Sequence, residues 1–470
     1  MRNRLPPFEC EIEALGPRGV GRATAPDGRP VDVRFAPPGG RLAVVPTGRA
    51  KGGWTARRVA LIRPPAEWAE PRCAQFALCG GCALQELGLA AQRRHKLALG
   101  LAEVEAGYGP LAGVTVHGID GAPDAYGYRN KVELAFGPTR FLREHEHQAG
   151  HPITGRFLGF HAPGRFDRVV DSPRCELVSE AANRVIAAVR GVYEAEGSPP
   201  PYDPRDHTGF WRHLVVREGH DGVLAVLFTA EAPDAEAWAM RVAEAVEPHT
   251  LGFQWRVNLG VADVARGELR RQVGRAEVEE RLGPVALRLS PSAFFQTNTA
   301  GARVLYDTIG RALAPASGTL LDLYCGVGAI GLYLASRFDA VLGIEENPEA
   351  VVDARANAAA NGIAATFVAG RVEDELLRWA DRHDAHLVVD PPRAGLHPRA
   401  AAAVAAGRWA SLVYVACNPA SLGRDAAVLR DGGWRLTDLW AVDLFPHTGH
   451  LELVGRFVRG GAASQPIDEG

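Results

Sequence analysis

Hydrophobic and polar positions change rhythm three times along the chain. From 8 to 63, short apolar runs (8–12, 31–35, 42–45, 58–62) are cut by Gly and Pro turns. Short strands separated by turn residues predict a small β-barrel, closed by Pro64-Pro65. The stretch 91–107 predicts a helix. Between 125 and 285, strand-like runs at 131–136 and 213–217 accompany Ala/Glu-rich helical stretches at 180–194 and 234–245, an α+β pattern. From 286 onward, buried strands alternate with helices at βαβ spacing, which predicts an α/β, Rossmann-like parallel sheet. The expected domains are 1–63, 64–285 and 286–470, with a polar, disordered tail at 459–470. A length of 470 residues is too great for one ordinary core.

Composition changes this picture little. Apolar residues make up 47% and charged residues 23%, as in a soluble globular protein. No run reaches the roughly 18 apolar residues that span a bilayer. The N-terminus lacks the apolar core of a signal peptide, so a cytoplasmic, non-membrane protein is expected. Net charge is −3, yet residues 1–63 carry twelve Lys and Arg against five Asp and Glu, leaving −10 on the rest. A basic module on an acidic body suits an RNA partner. Arg supplies nearly all this charge, Lys occurring only at 51, 96 and 131, so compositional bias accounts for part of it.

Candidate chemistry begins at the apolar run 320–324, which leads into Cys325-Gly326-Val327-Gly328. Gly326, Gly328 and Gly331 fit G-x-G-x-x-G, so a nicotinamide oxidoreductase is one reading. Asp322 inside the strand can meet the cationic end of S-adenosylmethionine (SAM). Glu345, ending the next strand, can accept from both ribose hydroxyls, and these two favour SAM. Tyr324 can pack on the ligand, and Glu373, beyond Arg371, can approach the adenine or simply cap a helix.

The strand 387–389 delivers Asp390 to a turn stiffened by Pro391-Pro392. Enzymes that methylate exocyclic amines carry an aromatic after such a signature; Arg393 stands there and argues against that chemistry. The next strand, 412–416, ends in Cys417-Asn418-Pro419 at the ligand-binding edge. A thiolate there suits pyrimidine chemistry: addition to carbon 6 of uracil makes carbon 5 nucleophilic towards a SAM methyl group. Glu452 in Phe445-Pro446-His447-Thr448-Gly449-His450-Leu451-Glu452 is the candidate base for the carbon 5 proton. His447 and His450 are possible helpers. Gln296 can bind cofactor or base, and Phe294 or Phe295 can line the pocket.

Cys73-x5-Cys79-Gly80-Gly81-Cys82 places three thiols in ten residues. With Cys175 as the fourth ligand, this fits a [4Fe–4S] cluster better than zinc, which favours paired C-x2-C knuckles. A disulfide framework is not expected in a cytosolic chain.

Together, F-Q-x-N, L-D-L-Y-C-G-x-G, D-P-P-R-x-G, C-N-P and F-P-H-T-x-H-x-E, with the cysteine set and the N-terminal module, make the chain resemble the RNA uracil-5-methyltransferases. The resemblance is to the iron–sulfur branch acting on 23S rRNA, and covers nearly the whole sequence. It implies a class I methyltransferase domain at 286–470, a TRAM-like RNA-binding barrel at 1–63 and a central iron–sulfur domain at 64–285. It also implies Cys417 as nucleophile, Glu452 as base, and Gln296, Tyr324, Glu345 and Asp390 as SAM-site residues. Ala329 departs from the Asn common in the family. The implied partner is 23S rRNA, with tRNA as the alternative because some cluster-bearing relatives act on it; a non-catalytic RNA-binding protein is the rival of another class. Arg49, Lys51, Trp54, Arg57 and Arg58 are candidate RNA contacts, Trp54 being equally suited to the barrel core. A monomer is expected.

Overall fold

A computed structural model describes residues 5–460, apart from Lys51 and 314–316. The N-terminal module is a six-stranded sheet in the order Phe8–Glu11, Arg41–Ala50, Gly53–Arg63, Pro30–Arg34, Gly21–Thr24, Ala14–Leu15. Alternation along these strands turns Val31, Val33, Leu42, Val44, Trp54 and Ala56 into a common core. Trp54 is therefore a core residue, its indole Nε1 donating to Asp27 at 3.0 Å.

The central region holds a seven-stranded sheet in the order Arg165–Asp171, Thr154–Ala162, Lys131–Thr139, Trp211–Gly219, Gly222–Thr229, Gly252–Val257, Glu268–Gly274. Helices Glu180–Glu194 and Ala235–Val246 pack their apolar stripes on it around Trp211 and Leu214.

The C-terminal sheet has eight strands. Five run parallel, in the order Ala365–Ala369, Ala340–Glu345, Thr319–Leu323, Ala385–Val389, Ser411–Ala416. Glu452–Arg459 joins antiparallel beside Ser411–Ala416, followed by Trp434–Asp443. Arg459 ends a strand, and the rest of the tail expected to be disordered, from 461, lies outside the described residues.

The eighth strand comes from ahead of the expected boundary at 285/286. Thr115–Gly121 pairs parallel with Trp434–Asp443, and helix Leu89–Tyr108 packs on helix Pro419–Asp431. A Cβ added to Gly107 would lie 2.6 Å from the Gly423 carbonyl carbon, so the two helices need glycine where they touch. The segment 89–121 thus belongs to the C-terminal sheet, while the hairpin Val278–Leu282 and Val285–Leu289 begins before residue 286. No helix among the described residues is long and apolar enough to cross a membrane.

Lys96 fastens this early segment. Its Nζ lies 2.6 Å from Asp443 Oδ1 and 3.0 Å from the Phe445 carbonyl, with both charged side chains fully buried. Breaking one side of a buried pair strands the other charge. Lys96→Met is expected to cost about 3 kcal/mol, the low end of the range for such pairs, because Arg93 stays 3.6 Å from Asp443. Lys96→Met combined with Asp443→Leu should recover most of the loss; urea unfolding midpoints test both.

Candidate active site

The carboxyl ends of the parallel strands bring the candidate residues to one edge. Strand Thr319–Leu323 carries Asp322, which is fully buried and accepts from Gly331 N at 2.9 Å through Oδ2, while Oδ1 has no partner. Burial first, then the Asp390 and Glu345 charges, push its carboxyl up to about 8. Tyr324 follows with φ +64°, a left-handed conformation rare outside glycine. Gly326 and Gly328 continue the turn at φ +54° and +81°. A Cβ on Gly328 would lie 2.9 Å from the Phe367 ring, so only glycine fits that bend.

Glu345 ends the adjacent strand. Its oxygens accept from Gly326 N at 3.1 Å and Asn347 N at 2.9 Å, which aims the carboxylate across the glycine turn. Glu373 is partly buried, 3.9 Å from His397 Nδ1, at the start of the short helix Val372–Glu375.

Asp390 leaves the fourth parallel strand, its N–H donating to Leu323 O at 3.3 Å, and burial pushes its carboxyl up to about 6. Cys417 leaves the fifth. Asn418 Nδ2 donates to Arg393 O at 3.0 Å, tying the Cys417 turn to the Asp-Pro-Pro-Arg turn. The thiol is pushed up to about 11 by burial and by the Glu452 and Asp390 carboxylates, with Arg393 opposing. Glu452 opens the neighbouring antiparallel strand and is only 4% exposed. It is therefore not an exposed strand carboxylate. Burial, then Asp390, raise its pKa well above the usual carboxylate range. Asp390, Cys417 and Glu452 thus stand at the ends of three adjacent strands, close enough for the carboxylates to raise the thiol's pKa.

Gln296 lies on the segment linking the small hairpin to helix Thr299–Ala312. Phe295 beside it is core, whereas Phe294 is 74% exposed. The central region pins this segment: Asn130 Nδ2 donates to Gln296 O at 3.0 Å, and buried Arg217 donates to Ser290 O and Ala293 O at 3.0 and 2.6 Å. Sequence reasoning missed both residues, since a buried polar side chain that holds a backbone carbonyl leaves no local pattern.

The four cysteines come together. Cys73, Cys79, Cys82 and Cys175 line one cavity of about 70 Å³, with Gln85 and Arg129 in its wall. Burial pushes Cys79 and Cys82 up to about 11 and about 12. No group of three or more His, Cys, Asp or Glu side chains among the described residues is arranged to hold a metal ion. Four thiols on one cavity match the ligand number of a [4Fe–4S] cluster and of tetrahedral zinc alike.

A separate groove of about 1400 Å³ runs between the N-terminal sheet and the cysteine loop, with Arg18, Arg34, Arg57, Arg143, Phe35 and Phe76 among its walls. Arg58 also lines this groove; its guanidinium is half-buried and held by Glu86 and the Phe35 carbonyl, so it braces the module as well. Arg49 lies over the Trp54 ring at 4.9 Å, and Arg57 is exposed. Lys51 lies outside the described residues.

Known proteins resemble this arrangement. The family model described as tRNA (uracil-5-)-methyltransferase matches residues 275–459. An uncharacterised RNA methyltransferase of Chlorobaculum tepidum is 36% identical over 419 residues, covering 86% of either chain. A tRNA (uracil(54)-C(5))-methyltransferase of Pyrococcus abyssi is 30% identical over 94% of this chain and its whole length. The crystal structure of the P. abyssi tRNA (uracil-54, C5)-methyltransferase with S-adenosyl-L-homocysteine superposes with a TM-score of 0.74. It is 26% identical and covers 96% of this chain and all of that one. With its glycine turn, acidic strand ends and edge thiol in one α/β sheet, the chain belongs to the RNA (uracil-5-)-methyltransferase family, whose members are SAM-dependent enzymes.

Proposed function

We propose that the chain methylates carbon 5 of a uridine in 23S rRNA through a covalent adduct between Cys417 and carbon 6. The observation that carries this reading is the convergence of a thiol and a buried carboxylate, Cys417 and Glu452, beside the cofactor edge. When bound, SAM supplies an electrophilic methyl group on a sulfonium. Asp322 would hold its ammonium group and Glu345 its ribose hydroxyls, with Tyr324, Gln296 and Asp390 completing the pocket.

The Cys417 sulfur adds to carbon 6 of the flipped uracil, and the ring electrons move to the carbon 4 oxygen as an enolate. Carbon 5 then takes the methyl group, leaving S-adenosylhomocysteine. Glu452 removes the carbon 5 proton, the enolate re-forms, and expulsion of the Cys417 thiolate restores the carbon 5–carbon 6 double bond. In the free protein, burial and two carboxylates keep the thiol protonated. Arg393 and the arriving sulfonium favour the thiolate, so the nucleophile forms in the loaded site.

Cys73, Cys79, Cys82 and Cys175 would hold a [4Fe–4S] cluster as a structural element. The groove beside the N-terminal sheet offers arginines for phosphates and aromatic rings for unstacked bases. A tRNA uridine is the second reading. It is favoured by the archaeal relatives named for tRNA uridine 54, which match nearly the whole of this chain, so the accessory modules alone do not select rRNA.

Three measurements test this. Wild-type protein should release tritium from 5-tritiated uridine in 23S rRNA, Cys417→Ala should abolish release, and Glu452→Gln should lower it at least about 100-fold, as for loss of a general base. Release from tRNA in place of rRNA would decide for the second reading; undiminished release by Cys417→Ala would remove the covalent mechanism. Anaerobically purified protein should contain iron and sulfide with broad visible absorbance, and Cys175→Ser should lose both. Finally, with a free-site pKa of about 8, Asp322 holds its proton at pH 7, and a neighbouring ammonium lowers that value. SAM binding should therefore release close to one proton from Asp322 at pH 7, fading above pH 8, and Asp322→Asn should release about one proton fewer than wild type; calorimetry in buffers of different ionisation enthalpy reads the difference directly.

A further inference from the structure

Four consecutive backbone carbonyls lead into the turn that ends at Glu452, and each is held from a different part of the chain. Leu444 O accepts from Asn298 Nδ2 at 2.7 Å, Phe445 O from Lys96 Nζ at 3.0 Å, and Pro446 O from the Tyr128 hydroxyl at 2.9 Å. His447 O accepts twice, from Ala83 N at 2.7 Å and Leu84 N at 3.0 Å, the two residues that follow Cys82.

His447 has φ +66°, a left-handed conformation that a side chain with a Cβ adopts at a cost. Gln92 is the side chain that holds it there. It is fully buried on helix Leu89–Tyr108. Its Oε1 accepts from His447 N at 2.8 Å, and its Nε2 donates to Leu87 O at 2.7 Å and meets His447 Nδ1 at 3.1 Å. With both acceptor and donor of the amide committed, Nδ1 must accept, which places the imidazole proton on Nε2. Burial keeps this ring neutral, its pKa pushed down to about 4. Backbone and ring of His447 are thus gripped by one amide, five residues before Glu452.

We propose that Gln92 is a positioning residue for Glu452, acting through His447, and that the backbone after Cys82 is the second support of the same turn. The inference rests on the reading that Glu452 removes the carbon 5 proton. A buried base cannot search for its proton, so displacement of its turn slows that step selectively; a shift of about 1 Å is worth roughly 100-fold. Steps before it are spared: Cys417 and the SAM pocket sit on other strands.

Gln92→Met keeps the side-chain volume and removes all three hydrogen bonds. Its kcat for tritium release should fall about 100-fold, with KM for SAM within about twofold. Methylated RNA joined to Cys417 should accumulate as a complex stable in SDS, because the stalled step follows methyl transfer. Gln92→Glu still accepts the His447 N–H, and should show the same signature with a smaller loss, about 10-fold. It also gives the readout should Gln92→Met fail to fold by circular dichroism. Glu452→Gln is run alongside. If it traps the adduct while the Gln92 variants turn over as wild type, or lose activity without trapping adduct, the positioning role is overturned. If Glu452→Gln traps nothing, the assignment of the base falls, and this inference with it.

Discussion

A single ammonium group, that of Lys96, ties the chain's early helix to the turn that leads to Glu452. In a dry interior the charge is costly, and burial lowers the Lys96 pKa against the opposing pull of Asp443. The pair persists because Asp443 Oδ1 and the Phe445 carbonyl both receive the ammonium at hydrogen-bond distance. The consequence is geometric. Helix Leu89–Tyr108 is locked to the end of strand Trp434–Asp443, where the turn towards Glu452 begins. The same helix carries Gln92 one turn earlier, so one element contributed from ahead of the central sheet sets the course of the segment that ends at Glu452. This is why 89–121 joins a sheet more than two hundred residues away.

Charge at the sheet edge decides between cofactors that the glycine turn alone leaves open. Asp322, Glu345, Asp390 and Glu452 gather there, and burial with mutual repulsion raises the pKa of Asp322 and Glu452. A dinucleotide would bring a pyrophosphate, with two further negative charges, to the same turn. SAM brings an ammonium and a sulfonium, which relieve the repulsion. The edge is built for a cation, and the unpartnered Oδ1 of buried Asp322 is its clearest mark.

Much of this edge is legible in the sequence because parallel strands buried on both faces read as continuous apolar runs, and their last residues fall at the cleft. Asp322, Glu345, Asp390 and Cys417 all follow that rule. Thr115–Gly121 escapes it: as a largely exposed edge strand it has no apolar run to give it away. Trp54 and Arg58 look alike as RNA contacts in sequence, and only strand pairing turns one into the core and lays the other against Glu86. Phe294 and Phe295 are likewise interchangeable until the backbone chooses which faces inward. Lys96 did leave a trace, as one of three lysines in a chain that otherwise uses arginine. An ammonium is a compact point charge where a guanidinium is a broad fork, and this small buried site admits the former.

The cysteine loop acquires its significance from what touches it. One side faces the cavity ringed by four thiols; the other supplies the N–H groups of Ala83 and Leu84 to His447. The N-terminal sheet meets the same turn, since a Cβ on Gly449 would lie 2.2 Å from Gly19 N, and Arg18 beside it lines the groove. Three modules therefore converge on the five residues before Glu452. A turn held this way has little freedom of its own, because moving it breaks hydrogen bonds to the cysteine loop and to Gln92 and meets the backbone at Gly19.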